Sequence, residues 1–318
     1  MSFIRKIAAV FGGTGFVGRR VVAELAREGY TVKVVTRVPE SAFFLRPAGV
    51  VGQVVPFACD YSNPVSIGNA VHGADVVVNC IGILHERRKG DFKKTHVDLP
   101  GVIAAACAYE KVKRFVHVSA LGVDKGVSQY AKTKLEGEKA VFENFQAATI
   151  LRPSIIFGPE DNFFNRFARL AQIMPALPLI GGGHTKFQPV YAGDVANAVM
   201  AVIKNPATAG YVFELGGPEV VSFKDIYARL FRYAGLTRRL VNMPFCVAKM
   251  QASVLGLLPN PALTRDQVES LKTDSIIGGG GLPGFAELGI VPTAMDAILP
   301  TYLGQYRPGG RFALNLAA

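Results

Sequence analysis

The stretch Lys6-Ile7-Ala8-Ala9-Val10-Phe11-Gly12-Gly13-Thr14-Gly15-Phe16-Val17-Gly18 decides the fold of this chain. An apolar run ends in glycines spaced GxxGxxG, and a helical pattern, residues 19–27, follows at once. In such a turn one glycine permits the tight reversal, another lets backbone approach a pyrophosphate, and a third lets the new helix pack closely on the strand. A helix that starts there directs its free N–H groups at negative charge. The stretch therefore reads as a dinucleotide site of Rossmann type, with Gly12, Thr14, Gly15, Phe16, Val17 and Gly18 in contact with the ligand.

Beyond this turn, short apolar runs alternate with helical periodicity: TVKVVT (31–36), VVPFAC (54–59), ADVVVN (74–79), RFVHVS (114–119) and ATILRP (148–153). Alternation of this kind predicts βαβ units around a parallel sheet, and continuous apolar strands predict helices on both faces. After Pro153 the pattern loosens into turns. A helix started by Asp194, a strand at 211–215, a helix capped by Ser222, an apolar segment at 245–258, a charged helix near 264–272 and a short helix near Met295 follow. The expectation is an α/β protein: a doubly wound Rossmann sheet over residues 1–220, with part of 154–190 contributing to a smaller, mostly helical C-terminal lobe over 221–318.

The second strand closes on Thr36-Arg37, where an NAD-specific site places an acid for the ribose hydroxyls. A guanidinium there pairs with the 2′-phosphate of NADP, so NADP(H) is expected over NAD(H); a solvated surface arginine is the alternative. Asp60-Tyr61 after the third strand is placed at the adenine edge, and Cys80-Ile81-Gly82 after the fourth along the ribose. Tyr130 and Lys134 form a YxxxK pair on one helical face, so the ammonium is expected to lower the phenol's pKa and to bind the nicotinamide ribose. That is acid/base equipment for a hydride-transfer site, although Tyr and Lys also fall four apart by chance.

The 318 residues carry 35 Lys+Arg against 24 Asp+Glu, a net +11 that suits phosphates, acidic lipid or an acidic protein. The basic groups lack the aromatic interleaving of a nucleic-acid platform, so no nucleic-acid partner is expected. Cys59, Cys80, Cys107 and Cys246 form no CxxC pair and read as buried free thiols of a reducing compartment. The histidines lack ligand spacing, so no metal is expected, and His117 reads as a satisfied core residue. The start at Met1 leaves no room for a signal or transit peptide, and no apolar run reaches about 18 residues, so a cytoplasmic chain that meets a membrane only from the side is expected.

The segments Asp60, NCIG (79–82), HVSALG (117–122), Tyr130 to Lys134, LRPSIIFGP (151–159) and 190–194 together resemble an extended or atypical short-chain dehydrogenase/reductase. The resemblance implies that Ser119, Pro153 and Ser154 lie near the nicotinamide, and that the family's catalytic hydroxyl falls on Ala120, which has none. Over nearly the whole chain, AVFGGTGFVGRRVV, SQYAKTKLEGEKAV, PSIIFGPEDNFFNRFA, FQPVYAGDVANAV and LTRDQVESLKTDSI are similar to the thirty-nine-kilodalton nucleotide-binding accessory subunits of respiratory complex I. That likeness implies tightly held NADPH, docking on the peripheral arm near the quinone site and no turnover of its own. For a bacterial counterpart it implies the cytoplasmic face of the inner membrane. A free NAD(P)-dependent reductase, epimerase or dehydratase and an NADP(H) redox sensor are the alternatives. The apolar segment 245–258 and the loop His85-Glu86-Arg87-Arg88-Lys89 are each either ordinary structure or docking surface.

Overall fold

The computed structural model describes residues 6–256, 261, 263–278 and 280–310. Seven strands, β1 (Ile7–Phe11), β2 (Thr31–Thr36), β3 (Val54–Ala58), β4 (Val76–Asn79), β5 (Arg114–Val118), β6 (Thr149–Pro153) and β7 (Val212–Leu215), form one parallel sheet in the order β7-β6-β5-β4-β1-β2-β3. The order reverses between β1 and β4, which opens a crevice at the carboxyl ends of these two strands. Register aligns those ends: Phe11 lies opposite Asn79, and Asn79 opposite His117.

Strand periodicity divides the core as the sequence predicts. Ala8, Val10, Val32 and Val34 pack beneath Val21, Val22 and Leu25 of helix Gly18–Arg27 and Val195 and Val199 of helix Ala192–Lys204. On the other face Ala9, Phe11 and Val77 meet Ile67, Ile103, Cys107 and Val141, from helices Pro64–Val71, Leu99–Tyr109 and Gln129–Asn144. Arg114, almost buried at the start of β5, donates to the Asn205 carbonyl at 3.2 Å and the Thr208 hydroxyl at 2.6 Å, and so ties the end of helix Ala192–Lys204 to the sheet.

A separate apolar cluster, with Phe164, Phe223, Tyr227, Leu299 and Tyr302, fills the second lobe. The EDNFFN segment supplies its polar pin. Asp161, 2% exposed, accepts from the N–H groups of Phe163 at 2.9 Å and Asn165 at 3.0 Å and from the Tyr302 hydroxyl at 2.6 Å. Burial nevertheless holds its carboxyl above the usual range.

Two local expectations need correction, and the lobe shows two features that the sequence left open. Helix Ala192–Lys204 begins before Asp194, whose carboxylate instead accepts from the Thr293 N–H at 2.6 Å and hydroxyl at 3.0 Å and so anchors the tail. The lobe also contains a parallel strand pair, Ala176–Ile180 with Arg239–Met243, which the expectation of a mostly helical lobe did not include. Helix Phe245–Leu255 buries Ala248 and Ala252 while Val247, Met250 and Val254 face out; residues 257 and 258 of the predicted segment lie outside the described residues. The four cysteines are free, but only Cys59 and Cys107 are buried; Cys80 is half-buried and Cys246 exposed. Among the described residues no helix is long and apolar enough to cross a membrane, and no His/Cys/Asp/Glu group is arranged to hold a metal.

Candidate cofactor site

The glycine turn closes on itself through the Gly15 N–H, which donates to the Gly12 carbonyl at 2.9 Å. Gly12 has φ +74°, and a Cβ there would lie 3.0 Å from the Cys80 and Ile81 backbone. A Cβ on Gly18 would lie 2.1 Å from the Gly12 carbonyl oxygen, so the contact between turn and helix admits only glycine. Helix Gly18–Arg27 has no side-chain cap and no acid in its first turn, which leaves its positive end for an anion. Phe16 and Val17 sit half-buried on this turn, and Phe16 packs within cation–π range of Arg20, 6.0 Å from its guanidinium. The Thr14 carbonyl accepts from Arg19, whose guanidinium also lies 5.1 Å from the Phe44 ring.

At the β2 end the Thr36 hydroxyl turns back into its own loop, near the Val38 carbonyl and Ser41. Arg37 is exposed, forms no ion pair with a described residue, and lies 5.7 Å above the Tyr61 ring. Tyr61 is fixed by its hydroxyl on the Val35 carbonyl at 2.8 Å. Asp60 is exposed and folds over Ser62, accepting its N–H at 2.9 Å. The structure thus brings Arg37 and Tyr61 together and gives Asp60 a turn-closing role.

Beyond the switch point, Cys80 and Ile81 follow β4 half-buried, and Gly82 is exposed about one van der Waals contact from Lys134, whose Nζ a Cβ would meet at 3.9 Å. Lys134 is 3% exposed and donates to the Val118 carbonyl at 2.9 Å; burial brings its pKa down to about 8 although Glu138 opposes the shift. Tyr130 differs from expectation: burial, with the Asp266 charge added, pushes its phenol up to about 12. Desolvation of the phenolate and the Asp266 carboxylate act in the same direction, and no lowering by Lys134 opposes them. Ser119, 5% exposed, carries a hydroxyl with no partner among the described residues, while Ser154 after Pro153 donates to the Ser275 carbonyl at 2.9 Å. An orphaned hydroxyl and a glycine cradle at one crevice fit a dinucleotide with a polar nicotinamide end.

Two neighbours carry more of this site than sequence reasoning allowed them. His96 accepts the Ile83 N–H at 3.2 Å, lies 3.1 Å from the Thr133 hydroxyl, and meets the Tyr130 ring edge-on at 5.3 Å. Gly137 makes room for it, since a Cβ there would strike the His96 carbonyl at 1.7 Å. Asp266, from helix Arg265–Ser270, accepts the N–H groups of Gln129 at 2.6 Å and Tyr130 at 3.1 Å. His96 lacked any motif; Asp266 lay in a segment already singled out for its resemblance but without a role. His117 is only half satisfied: it pairs with Asn79 at 3.1 Å through Nδ1, and its buried Nε2 has no partner among the described residues.

The loop 85–89 is organised by its own acids. Glu86 accepts the Gly90 and Phe92 N–H groups at 2.9 and 3.0 Å, and Asp91 those of Arg87 and Arg88 at 3.1 and 2.8 Å. Arg87, Arg88 and Lys89 themselves remain exposed.

Burial depresses the His96 pKa to about 3. A histidine held neutral in the folded state and titrating near 6.5 when unfolded contributes stability that is complete above pH 6.5 and is lost as pH falls toward the folded value. Each such group steepens the loss to about 1.4 kcal/mol per pH unit. Denaturant titrations between pH 6 and 4.5 should therefore show a shallower pH dependence in His96→Gln than in the parent; equal slopes would show that His96 is protonated in the fold.

These features define a Rossmann dinucleotide-binding protein with a YxxxK helix and no hydroxyl at Ala120. Residues 8–216 match the NAD dependent epimerase/dehydratase family, and the chain belongs to it. It is 35% identical over 317 residues to the mitochondrial NADH dehydrogenase [ubiquinone] 1 alpha subcomplex subunit 9 of Arabidopsis thaliana, covering 96% of this chain and 79% of that one. To the protein of the same name from Mus musculus it is 36% identical, covering 91% of this chain and 78% of the relative. In fold it is similar to an NADPH-dependent quinone oxidoreductase of Escherichia coli complexed with NADPH, with a TM-score of 0.72, 19% identity, and coverage of 93% of this chain and 98% of that one.

Proposed function

We propose that this chain is an NADP(H)-holding accessory subunit of a respiratory NADH:quinone oxidoreductase, complex I, and that its dinucleotide serves structure. The observation that carries the reading is the reach of the likeness: 35% identity over 96% of the chain extends past the dinucleotide domain into the lobe and tail. A dinucleotide cradle beside a high-pKa phenol, with alanine where the catalytic hydroxyl would stand, supports retention over turnover.

In this reading Gly12, Thr14, Gly15, Phe16, Val17 and Gly18 hold the pyrophosphate; Thr36, Arg37, Asp60 and Tyr61 surround the adenosine; and Cys80, Ile81, Gly82, Ser119, Tyr130, Lys134, Pro153 and Ser154 surround the nicotinamide half. When bound, NADPH supplies a hydride donor. Lys134 keeps an ammonium within the crevice, and Tyr130 stays a neutral phenol able to donate a hydrogen bond. Arg37, free of carboxylate partners among the described residues, selects the 2′-phosphate. A ligand that binds only the folded chain stabilises it in proportion to its affinity. Docking places the chain on the peripheral arm near the quinone site, at the cytoplasmic face of a bacterial inner membrane, with the outward row Val247, Met250 and Val254 available for sideways contact.

Isolation of the tagged chain from native membranes tests the assignment: other subunits of the oxidoreductase should come with it, and recovery as a free protein would contradict it. Arg37→Glu should weaken NADPH binding about 100-fold or more and leave NADH binding nearly unchanged, as read by equilibrium titration. Equal effects on both would remove the 2′-phosphate assignment. The retained Tyr130–Lys134 pair favours a second reading, a free NAD(P)-dependent reductase or epimerase. Substrate-dependent oxidation of NADPH that is abolished by Tyr130→Phe would establish it.

A further inference from the structure

Segment 264–278 crosses from the second lobe onto the carboxyl edge of the sheet and is fastened there at several points. Asp266 caps the first turn of the helix that carries Tyr130 and Lys134. Asp274 accepts the Lys186 N–H at 2.8 Å. Ser275 donates its N–H to the Lys186 carbonyl at 2.9 Å and accepts the Gln188 N–H at 3.0 Å, and its carbonyl also receives the Ser154 hydroxyl. Ile277 donates to Gln188 at 3.0 Å and Gly278 to Glu214 at 2.8 Å.

The run therefore joins the start of the Tyr130 helix to the ends of β6 and β7. Tyr130 and Ser154 flank the place where a dinucleotide laid out from the glycine turn must put its nicotinamide half. The apolar anchor of the segment is small: Val268 packs with Ile180, Ala248 and Ala252, and the partly buried Leu271 touches both this cluster and the core of the second lobe. Its remaining fastenings are hydrogen bonds and the Glu269–Lys249 ion pair, so the segment can open at lower cost than the sheet.

We propose that residues 264–278 form a strap that closes over the nicotinamide half of the resident dinucleotide and sets the rate at which the dinucleotide leaves. The inference rests on the reading of the chain as an NADP(H) holder. Asp266 does two things in it: its charge satisfies the positive end of the Tyr130 helix, and its two hydrogen bonds keep the strap down.

The test uses the full chain loaded with NADPH. NADPH release, followed by loss of its fluorescence enhancement during a chase with excess NADP+, should accelerate about tenfold or more in Asp266→Ala and to a lesser degree in Asp274→Ala. In the parent protein, amide exchange across 265–278 should slow when NADPH is added. Unchanged release in both variants, or equal exchange with and without NADPH, overturns the strap. Should Asp266→Ala fail to fold, Asp274→Ala and the exchange measurement on the parent decide the matter. A parent chain that binds no dinucleotide contradicts the holder reading and the strap together; binding that is indifferent to the strap contradicts the strap alone.

Discussion

Gly18→Ala should abolish dinucleotide retention and destabilise the fold at the same time. The new methyl carbon would lie 2.1 Å from the Gly12 carbonyl oxygen and 2.8 Å from the Gly12 carbonyl carbon and Gly13 Cα. All three are backbone atoms of a turn that already uses a left-handed residue at Gly12. Nothing flexible can yield, so helix Gly18–Arg27 must tilt away from β1, and its N–H groups leave the phosphate position. Overpacking of this kind costs about 1–3 kcal/mol of stability, and misdirected amides should cost at least about 100-fold in NADPH affinity. Denaturant unfolding and NADPH titration measure the two effects. Gly15→Ala is the internal comparison: its Cβ would lie 3.1 Å from the Gly12 oxygen, and a milder loss is expected. Parent-like affinity in Gly18→Ala would remove the pyrophosphate from this turn.

The second large effect concerns the ion pair beneath the YxxxK helix. Arg152 on β6 meets Glu138 side-on, with Nε to Oε1 at 2.9 Å and an Nη to Oε2 at 2.6 Å, and the two side chains are only 9% and 4% exposed. Removing one member of a buried pair strands the other charge and costs about 3–5 kcal/mol, whereas replacing both by apolar groups of similar size can be nearly neutral. Glu138→Ala should therefore fall in that range, and Glu138→Leu with Arg152→Met should recover much of it in chemical denaturation. A small loss in Glu138→Ala would show that water reaches the pair. Glu138 also lies one helical turn from Lys134 and supports its charge against burial. Its removal should lower the Lys134 pKa further.

The sheet was legible because its signals are local. A glycine turn between an apolar strand and a helix, and β-branched runs at regular spacing, fix the order of elements before any tertiary contact is known. The lobe was harder to read. Strand Ala176–Ile180 has no polar residue and contains Pro178, and strand Arg239–Met243 is largely exposed, so neither sequence alternates apolar with polar residues as a half-buried strand does. Asp194 stands where a helix-starting acid is expected, yet its partner Thr293 lies far along the chain. Asp266 sits among charges that read as a solvated helix, and its link to Tyr130 is purely tertiary. The direction of the Tyr130 shift was missed for a similar reason: spacing placed Lys134 beside the phenol, but burial, which spacing does not report, decided the sign.

The proposed role of this chain is to keep a resident NADP(H) within a respiratory assembly. Its most direct test is the dinucleotide content of the assembly isolated from native membranes without added nucleotide. NADP(H) is expected in equimolar ratio to this chain, retained through extensive dialysis and released when the chain is denatured. An assembly that contains the chain but no NADP(H), or one whose dinucleotide dialyses away freely, would contradict it.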